Sequence, residues 1–387
     1  MTPLTTEERD RRWKTVREAM KKQNLECLIV YGVTGRYRQL TANVRYLCNV
    51  AVEGFAVFPL EGDPTLISFW GWPNLPWLKD SRGGQPGYSQ VISERLRELH
   101  LENSRIGLVP LSGYDGELGL PHKTYVSLTD SLPKVRFEDA TEILLEARMI
   151  KSAAEIKCLE VGCEVGEQVI QAIADTAKPG VKDNEVKLKI METMFRGGCE
   201  PGSMILYHTG KELFHGGQGG PFPLAGPKVL ENGDIILIEF DCNYSGYLGQ
   251  FNQPFSIGKP NNEWGKIFDV ARESFNKGLQ TLKPGITAGE LDEAMLSPIK
   301  KAGYTNLCPA FHGLGLSLEQ PMASFPGQPT HKPPTSLVMR PGMVLELEPD
   351  VLSMEGKKGA TLGSPVLVTE TGCRLLSKTW KPEFRMI

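Results

Sequence analysis

Two short stretches of the sequence are near copies of each other, and this repeat constrains the fold more than any other feature. The first, over 233–241, reads GDIILIEFD, and the second, over 342–350, reads GMVLELEPD. Each begins at a glycine, continues through mostly aliphatic residues and ends in Glu-x-Asp. Apolar residues on both faces are typical of a strand that is covered on both sides. The sequence therefore predicts two equivalent buried strands that carry carboxylates.

The carboxylates of each strand are predicted to share a face. Because side chains alternate along a strand, Glu239 and Asp241 point to one side. The same alternation places Glu346, Glu348 and Asp350 together. A buried carboxylate is costly unless it has a partner or a function. We therefore expect Glu239 and Glu348 to form the floor of an active site.

A longer repeat surrounds these strands. The segment 178–199 aligns with 283–304 without a gap, and both segments begin with Lys-Pro-Gly. Each copy predicts a helix before this turn and a helix after it. Each copy then reaches a His-Gly pair, at His215 and at His312, ahead of its Glu-x-Asp strand. Such self-similarity predicts two halves packed about a pseudo-twofold axis, with the histidines and glutamates where the halves meet.

Length and composition are those of an ordinary soluble enzyme. The chain has 387 residues, of which 40% are hydrophobic and 23% charged, and its formal charge is −3. This charge predicts no nucleic-acid partner, and no apolar run is long enough for a membrane span. The eight cysteines show no C-x-x-C spacing, which predicts reduced thiols. We expect a cytoplasmic protein that acts on a small molecule.

The character of the chain changes part-way along it. Over 1–152, alternating strands and helices predict an α/β domain, with strands at 26–31 and 46–50 and a hairpin turn at 61–64. No G-x-G-x-x-G follows a strand there, so this Rossmann-like rhythm does not predict a dinucleotide. Over 153–387, long helices and the repeat predict a second domain.

This second domain resembles the pita-bread fold of creatinase, aminopeptidase P, prolidase and methionine aminopeptidase. The preceding part resembles the N-terminal domain of the creatinase and prolidase branches. The resemblance therefore implies an α/β creatinase-type N-terminal domain and an α+β pita-bread domain with an internal pseudo-twofold repeat. The residues that carry it are Arg148 to Ser152, Gly246 and Tyr247, His312 to Gly315, Pro341 to Pro349, and Val366 to Thr369.

The metallopeptidases of this family bind two metal ions through two Asp, one His and two Glu, and this chain keeps only part of that set. The five positions fall on Glu239, Gln250, His312, Glu348 and Gly363. Because two hard ions need several anionic oxygens, a dinuclear centre is not expected. The sequence predicts a site without metal, and the alternative is one divalent ion on Glu239, His312 and Glu348.

The loss of metal ligands is similar to the creatinase branch, which works without metal. Creatinases use a histidine in the loop ahead of the first carboxylate strand, and that position is His215. An imidazole can take a proton from water and return it to a leaving nitrogen. The resemblance implies a metal-independent hydrolase that cleaves an amide or amidine C–N bond of a small polar metabolite. Glu239 and Glu348 would then orient the substrate, and His312 would complete the hydrogen-bond network.

Three further polar residues are candidates for substrate binding. Gln250 and Asn252 alternate onto one face and are expected to bind substrate amides. The alternative is that they only fill the space of lost ligands. Asp241 shares the face of Glu239 and joins them as a candidate.

Two rival functions stay open. The first is a mononuclear metal enzyme of the same fold, either an Xaa-Pro dipeptidase or a lyase. The second is a non-catalytic pita-bread binding module, as in histone-chaperone relatives. Family members place the N-terminal domain of one subunit over the partner's site. We therefore expect a homodimer in which Arg36, Arg38 or the aromatics of 70–77 complete the pocket.

Overall fold

The computed structural model describes seven ranges of the chain, and it divides into two compact units. The first unit comprises 1–148 with 316–318, and the second comprises 149–315 with 319–387. Within the described ranges, no helix is both long enough and apolar enough to cross a membrane. The described ranges are 4–33, 38–85, 87–109, 119–201, 204–213, 228–323 and 335–387.

The first unit is built on a six-stranded mixed sheet flanked by helices. The strands are β1 Cys27–Gly32, β2 Gly54–Pro59, β3 Thr65–Ser68, β4 Asp80–Gly83, β5 Arg105–Val109 and β6 Arg136–Asp139. The helices are α1 Thr6–Gln23, α2 Ala42–Cys48, α3 Tyr88–Glu98, α4 His122–Ser131 and α5 Thr141–Met149, and a short 3-10 helix covers Arg38–Thr41.

The sheet has the order β4-β3-β2-β1-β5-β6. The hairpin between β2 and β3 turns at the predicted residues, where Gly62 has φ +88°. The strand predicted at 46–50 is wrong, because helix α2 covers most of it. Every residue of α2 is buried, so its apolar run carries no periodicity that separates a helix from a strand. The core of this unit includes Ile29, Phe55 and Ile92, which are almost fully buried.

In its described residues, the second unit contains four long helices and three sheets. The helices are α6 Ala153–Thr176, α7 Asp183–Arg196, α8 Asn262–Thr281 and α9 Ala288–Lys301. The first strands are β7 Ile205–Gly210, β8 Ile235–Tyr244, β9 Tyr247–Ser256, β10 Thr305–Asn306, β11 Phe311–Leu314 and β12 Leu318–Met322. The later strands are β13 Val344–Leu347, β14 Asp350–Leu352, β15 Gly359–Thr361, β16 Ser364–Val368, β17 Cys373–Leu375 and β18 Arg385–Met386.

The strand orders of the second unit are β18-β9-β8-β7, β12-β11-β13-β16-β17 and β10-β14-β15. The predicted repeat appears in the backbone. Gly180 and Gly285, in the two Lys-Pro-Gly turns, have φ +90° and +93°. Gly233 and Gly342, which precede the two carboxylate strands, have φ +85° and +86°. Left-handed backbone at matched glycines supports the equivalence of the two halves.

Helix α6 packs closely against the β8–β9 hairpin through two glycines. A Cβ atom built on Gly249 would lie 2.4 Å from the carbonyl carbon of Gly162, and one built on Gly162 would lie 2.7 Å from the carbonyl oxygen of Cys242. These contacts leave no room for a side chain at either position. The hairpin that carries Glu239 is thereby held against the helix layer.

Candidate active site

The first group of site residues lies on the β8–β9 hairpin. In its antiparallel register, Glu239 is opposite Asn252, and Asp241 is opposite Gln250. Opposite residues of an antiparallel pair share a face, and alternation brings the two pairs onto the same one. The two carboxylates and the two amides predicted from the sequence therefore lie together.

The second group lies on the five-stranded sheet. His312 of β11 is opposite Glu346 of β13, so these side chains share a face. Glu348 follows β13 directly, and its backbone N–H donates to the carbonyl oxygen of Ala310 at 2.8 Å. Strand β13 ends at Leu347 and a new strand begins at Asp350, so the expected alternation does not extend to Asp350.

The two groups meet through paired backbone bonds between Asn252 and Gly363. The N–H of Asn252 donates to the Gly363 carbonyl at 3.1 Å, and the N–H of Gly363 donates to the Asn252 carbonyl at 2.9 Å. Both bonds lie within the second unit and join strand β9 to the segment that precedes β16. Carboxylates from both halves of the repeat are thus brought together, as the sequence predicted.

The carboxamide of Gln250 occupies the centre of this cluster. Its Nε2 atom lies 3.0 Å from Oε1 of Glu239, 3.2 Å from Oε2 of Glu348 and 3.4 Å from Nε2 of His312. Three potential metal ligands therefore surround one nitrogen atom. An N–H group that donates to carboxylates takes a place that a cation would otherwise fill.

Two further contacts orient the second group. Asn252 donates through Nδ2 to Oε2 of Glu348 at 2.9 Å, and Nε2 of His312 lies 3.2 Å from Oε1 of Glu348. Nδ1 of His312 lies 2.9 Å from the carbonyl oxygen of Gly313. A proton on Nδ1 satisfies that carbonyl, which leaves Nε2 to face the cluster.

Four carboxylates of this cluster are removed from solvent. Glu239 and Glu348 are 9% and 8% exposed, whereas Asp241 and Glu346 are fully buried. Burial raises the pKa of Glu346 well above its usual range, and the charges of Glu348, Glu239 and Asp241 raise it further. Burial lowers the pKa of His312, but the charge and hydrogen bond of Glu348 raise it more, so the net pKa is raised. The nearby carboxylates raise both pKa values, whereas burial raises the pKa of Glu346 and opposes the rise at His312.

Glu346 is the site member that the sequence prediction missed. A Cβ atom built on Gly363 would lie 2.6 Å from Oε1 of Glu346, so this carboxyl group takes the space that a side chain at position 363 would use. The alternation along 342–350 already placed Glu346 on the face of Glu348. The sequence does not show that Gly363, which has no side chain, lies next to Glu346, because the two residues belong to different strand segments.

Other predicted residues belong to the first unit or to parts of the chain that the structure does not describe. His215 and Arg36 lie outside the described residues, and Arg38 lies in the 3-10 helix of the first unit. Of the aromatics of 70–77, Trp70 is 81% exposed, whereas Trp77 is buried. The roles of His215 and of the N-terminal aromatics stay predictions.

Comparison with known proteins identifies the family. The model of metallopeptidase family M24 matches residues 157–370, which include the whole cluster. The model of the creatinase/prolidase N-terminal domain matches residues 12–150. The chain belongs to metallopeptidase family M24. The predicted resemblance to the creatinase, aminopeptidase P and prolidase family is thereby confirmed.

Curated relatives of this M24 chain are named as peptidases. It is 28% identical over 268 residues to the Xaa-Pro dipeptidase of Pyrococcus horikoshii, a match that covers 68% of this chain and 72% of the relative. It is 27% identical over 248 residues to the Xaa-Pro dipeptidase of Pyrococcus furiosus, which covers 63% of this chain and 67% of the relative.

Solved structures confirm the predicted two-domain fold class. The prolidase of Pyrococcus horikoshii superposes with a TM-score of 0.75 over 96% of this chain and 99% of that chain, at 23% identity. The Xaa-Pro dipeptidase of Bacillus anthracis superposes with a TM-score of 0.79 over 98% of this chain and all of that chain, at 20% identity.

Two predictions about function are wrong. The M24 match and the Xaa-Pro dipeptidase relatives overturn a metal-independent, creatinase-like hydrolase of non-peptide bonds, and with it the prediction that no metal is used. The sequence argument counted carboxylates only at the five inherited ligand positions. It left out Asp241 and Glu346, whose carboxyl groups the structure buries beside Glu239 and Glu348.

The residues present fit one divalent cation once the Gln250 carboxamide turns over. Within the described ranges, no three His, Cys, Asp or Glu side chains already surround a point at ligand distance, because the Gln250 nitrogen stands between them. Oε1 of Gln250 is buried and has no hydrogen-bond partner within the described ranges. A half-turn of the carboxamide would direct this oxygen at the centre, and amide oxygens are ligands of hard cations. Glu239, His312 and Glu348 would complete the set.

Proposed function

We propose that this M24 chain is a metal-dependent dipeptidase that cleaves Xaa-Pro or similar small peptides. One observation carries the proposal. Glu239, His312 and Glu348, from both halves of the repeat, converge within 3.0–3.4 Å of the single atom Nε2 of Gln250. Two carboxylates and one imidazole are a common ligand set for a divalent cation in a hydrolytic site.

The cation would be held by Glu239, His312 and Glu348, with Oε1 of Gln250 as a fourth donor. When bound, such an ion supplies Lewis acidity, which polarises a peptide carbonyl and lowers the pKa of water. Gly363 contributes no ligand, so the proposal is for one ion at these residues and not for the two that the family pattern would hold.

The remaining chemistry belongs to the chain's own groups. Nδ1 of His312 lies at hydrogen-bond distance from the Gly313 carbonyl, and a proton on Nδ1 would donate to this carbonyl and leave Nε2 to bind the cation. Asn252 fixes one oxygen of Glu348 through its Nδ2. The second oxygen of Glu348, at 3.2 Å from His312, is placed to accept a proton from water and to return it to a leaving nitrogen.

The substrate class follows from the relatives. Both Pyrococcus relatives are named Xaa-Pro dipeptidases, and each is matched over about two thirds or more of its length. A dipeptide is also small and polar, which suits a cluster of buried carboxylates and amides. The substrate-binding roles of Asp241, Gln250 and Asn252 stay predictions, since all three side chains are buried.

The test is a metal-dependence assay on the full chain. Protein treated with chelator and dialysed is assayed with Xaa-Pro dipeptides, with matched dipeptides that lack proline, and with creatine, before and after addition of Mn²⁺. We expect Xaa-Pro cleavage only after Mn²⁺ is added, and none of creatine. Xaa-Pro turnover that persists in chelator would contradict the proposal.

A pair of histidine variants controls for nonspecific metal effects. His312→Gln should lower Mn²⁺-dependent turnover more than about 100-fold, since even indirect metal contacts cost up to that much. His122→Gln, at an exposed position of the first unit, should leave turnover unchanged. Equal Mn²⁺-dependent turnover in the two variants would contradict the role of His312 as a metal ligand.

We also propose that the protein is the homodimer expected from the sequence. The structure of a single chain shows no contact between subunits, so this proposal needs its own experiment. Light scattering during size exclusion measures the mass directly. A monomer at all concentrations would exclude it.

A further inference from the structure

Glu346 occupies an unusual position for an acidic side chain. It lies on β13 opposite His312, and it is fully buried. Among the residues that the structure describes, neither of its carboxyl oxygens has a hydrogen-bond partner. A buried polar group without a partner costs about 1–3 kcal/mol, and a buried charge costs more. Such a carboxyl group either lowers the stability of the fold without compensation or is stabilised by a bound ligand.

The space for this carboxyl group is created by Gly363. A Cβ atom on residue 363 would lie 2.6 Å from Oε1 of Glu346, 2.8 Å from the Leu347 carbonyl oxygen and 3.0 Å from Cβ of Glu348. Any other residue at 363 would therefore displace Glu346. Gly363 is bonded through its backbone to Asn252, so Glu346 lies beside a residue whose side chain contacts Glu348.

Two amides beside Glu346 also present oxygens without partners. Oε1 of Gln250 and Oδ1 of Asn252 are buried and accept no hydrogen bond from any described residue, while the nitrogens of both amides donate to Glu348. Together with Glu346, these side chains offer four buried oxygen atoms that lack donors in the described part of the chain. Oxygens in such a set are satisfied by a hard cation.

We propose that Glu346 is a metal ligand of this chain, and that it reaches the cation through the space left by Gly363. The inference rests on the proposed metal-dependent function and deepens it. The carboxylate absent at 363 is supplied from the neighbouring strand, so the site keeps three glutamates and one histidine. A set rich in carboxylate oxygen favours Mn²⁺ over softer ions.

The test measures Mn²⁺ binding separately from activity. Equilibrium dialysis and the electron paramagnetic resonance of free Mn²⁺ give the affinity of wild type and of Glu346→Gln. We expect the substitution to weaken Mn²⁺ binding about tenfold or more. We also expect the thermal midpoint of the metal-free variant to equal or exceed that of wild type, because no hydrogen bond to a described residue is lost with the carboxyl group. A purely structural role would instead lower the midpoint and leave the affinity intact.

A matched control uses a buried glutamate elsewhere in the second unit. Glu319 is buried and pairs with Nζ of Lys151 at 2.7 Å. Glu319→Gln should lower the thermal midpoint and leave Mn²⁺ affinity unchanged. If Glu346→Gln instead keeps the thermal midpoint and loses Mn²⁺ affinity, the effect comes from the position of Glu346 in the cluster. It does not come from the loss of a buried carboxylate in general.

A double substitution tests the role of Gly363. Gly363→Ala should weaken Mn²⁺ binding in wild type and have little further effect in the Glu346→Gln background. Full Mn²⁺ affinity in Glu346→Gln, with wild type binding normally, overturns this inference alone. Failure of wild type to bind Mn²⁺ overturns the proposed function, and this inference with it.

Discussion

Substitution of Gln250 by Glu probes the centre of the cluster, because it changes one N–H₂ group to oxygen and little else. In the wild-type chain, this nitrogen lies 3.0 Å from an oxygen of Glu239 and 3.2 Å from an oxygen of Glu348. In Gln250→Glu, a carboxyl oxygen would take that place. Without a cation, three carboxylates would then compete for one point.

The cost can be worked out from these distances. Two unit charges 3.0 Å apart repel by about 5–6 kcal/mol at an effective dielectric constant of ~20. Protonation of a glutamate of ordinary pKa ~4.3 costs about 4 kcal/mol at pH 7, which is less, so the new carboxyl stays neutral. Because the pKa of the carboxyl group introduced at position 250 is raised in the folded state, the loss of unfolding free energy grows as the pH rises above ~4.3. At pH 5 this loss is only about 1 kcal/mol.

Urea denaturation of the metal-free protein at pH 5 and pH 7 measures this penalty. We expect Gln250→Glu to lose about 4 kcal/mol at pH 7 and about 1 kcal/mol at pH 5. Saturating Mn²⁺ should restore the loss at pH 7, since a cation would join the three carboxylates and stabilise only the folded state.

The control is Gln253→Glu on the same strand. Gln253 is buried, alternates to the opposite face, and donates to the carbonyls of Pro254 and Glu383. Its substitution should also destabilise the protein, but Mn²⁺ should not restore it. Unchanged metal-free stability in Gln250→Glu, or equal Mn²⁺ rescue of both variants, would refute the reasoning.

Three further predictions concern the scaffold. Gly249→Ala should lower the unfolding free energy by about 1–3 kcal/mol, because its Cβ would meet the Gly162 backbone at 2.4 Å. Gly265→Ala, which meets nothing within 4 Å on helix α8, should stabilise by about 0.5–1 kcal/mol in the same chemical denaturation series. Burial acts to raise the pKa of Glu8, but hydrogen bonds and charges from Arg11 and Arg12 lower it overall. This stabilisation is therefore present above pH ~4.5 and lost below it, so Glu8→Gln should flatten the acid limb of a pH–stability curve.

The repeat was predictable because its signals are local. The Lys-Pro-Gly turns require left-handed glycine, and Gly180 and Gly285 both adopt it. Strand alternation likewise brought Glu239, Gln250 and Asn252 to one face. Helix α2 was not predictable, since all of its residues are buried and its pattern has no period.

The role of metal was mispredicted because it depends on pairs of distant residues. Gln250 and Gly363 lack carboxylates. A position-by-position comparison with the family therefore counts both positions as lost metal ligands. Glu346 fills the space at Gly363 only once β13 and the segment before β16 are adjacent. The orientation of the Gln250 amide is likewise set by three side chains from separate strands. Neither the position of Glu346 nor the orientation of the Gln250 amide can be predicted from the neighbouring sequence.

Equilibrium dialysis of chelator-treated wild-type protein against Mn²⁺ tests the central claim most directly. The buried carboxylates of Glu239, Glu346 and Glu348, with His312, predict saturable binding of about one ion per chain. Binding should be lost in His312→Gln while the variant stays folded. No saturable Mn²⁺ binding by the wild-type chain would contradict the claim that this cluster is a metal site.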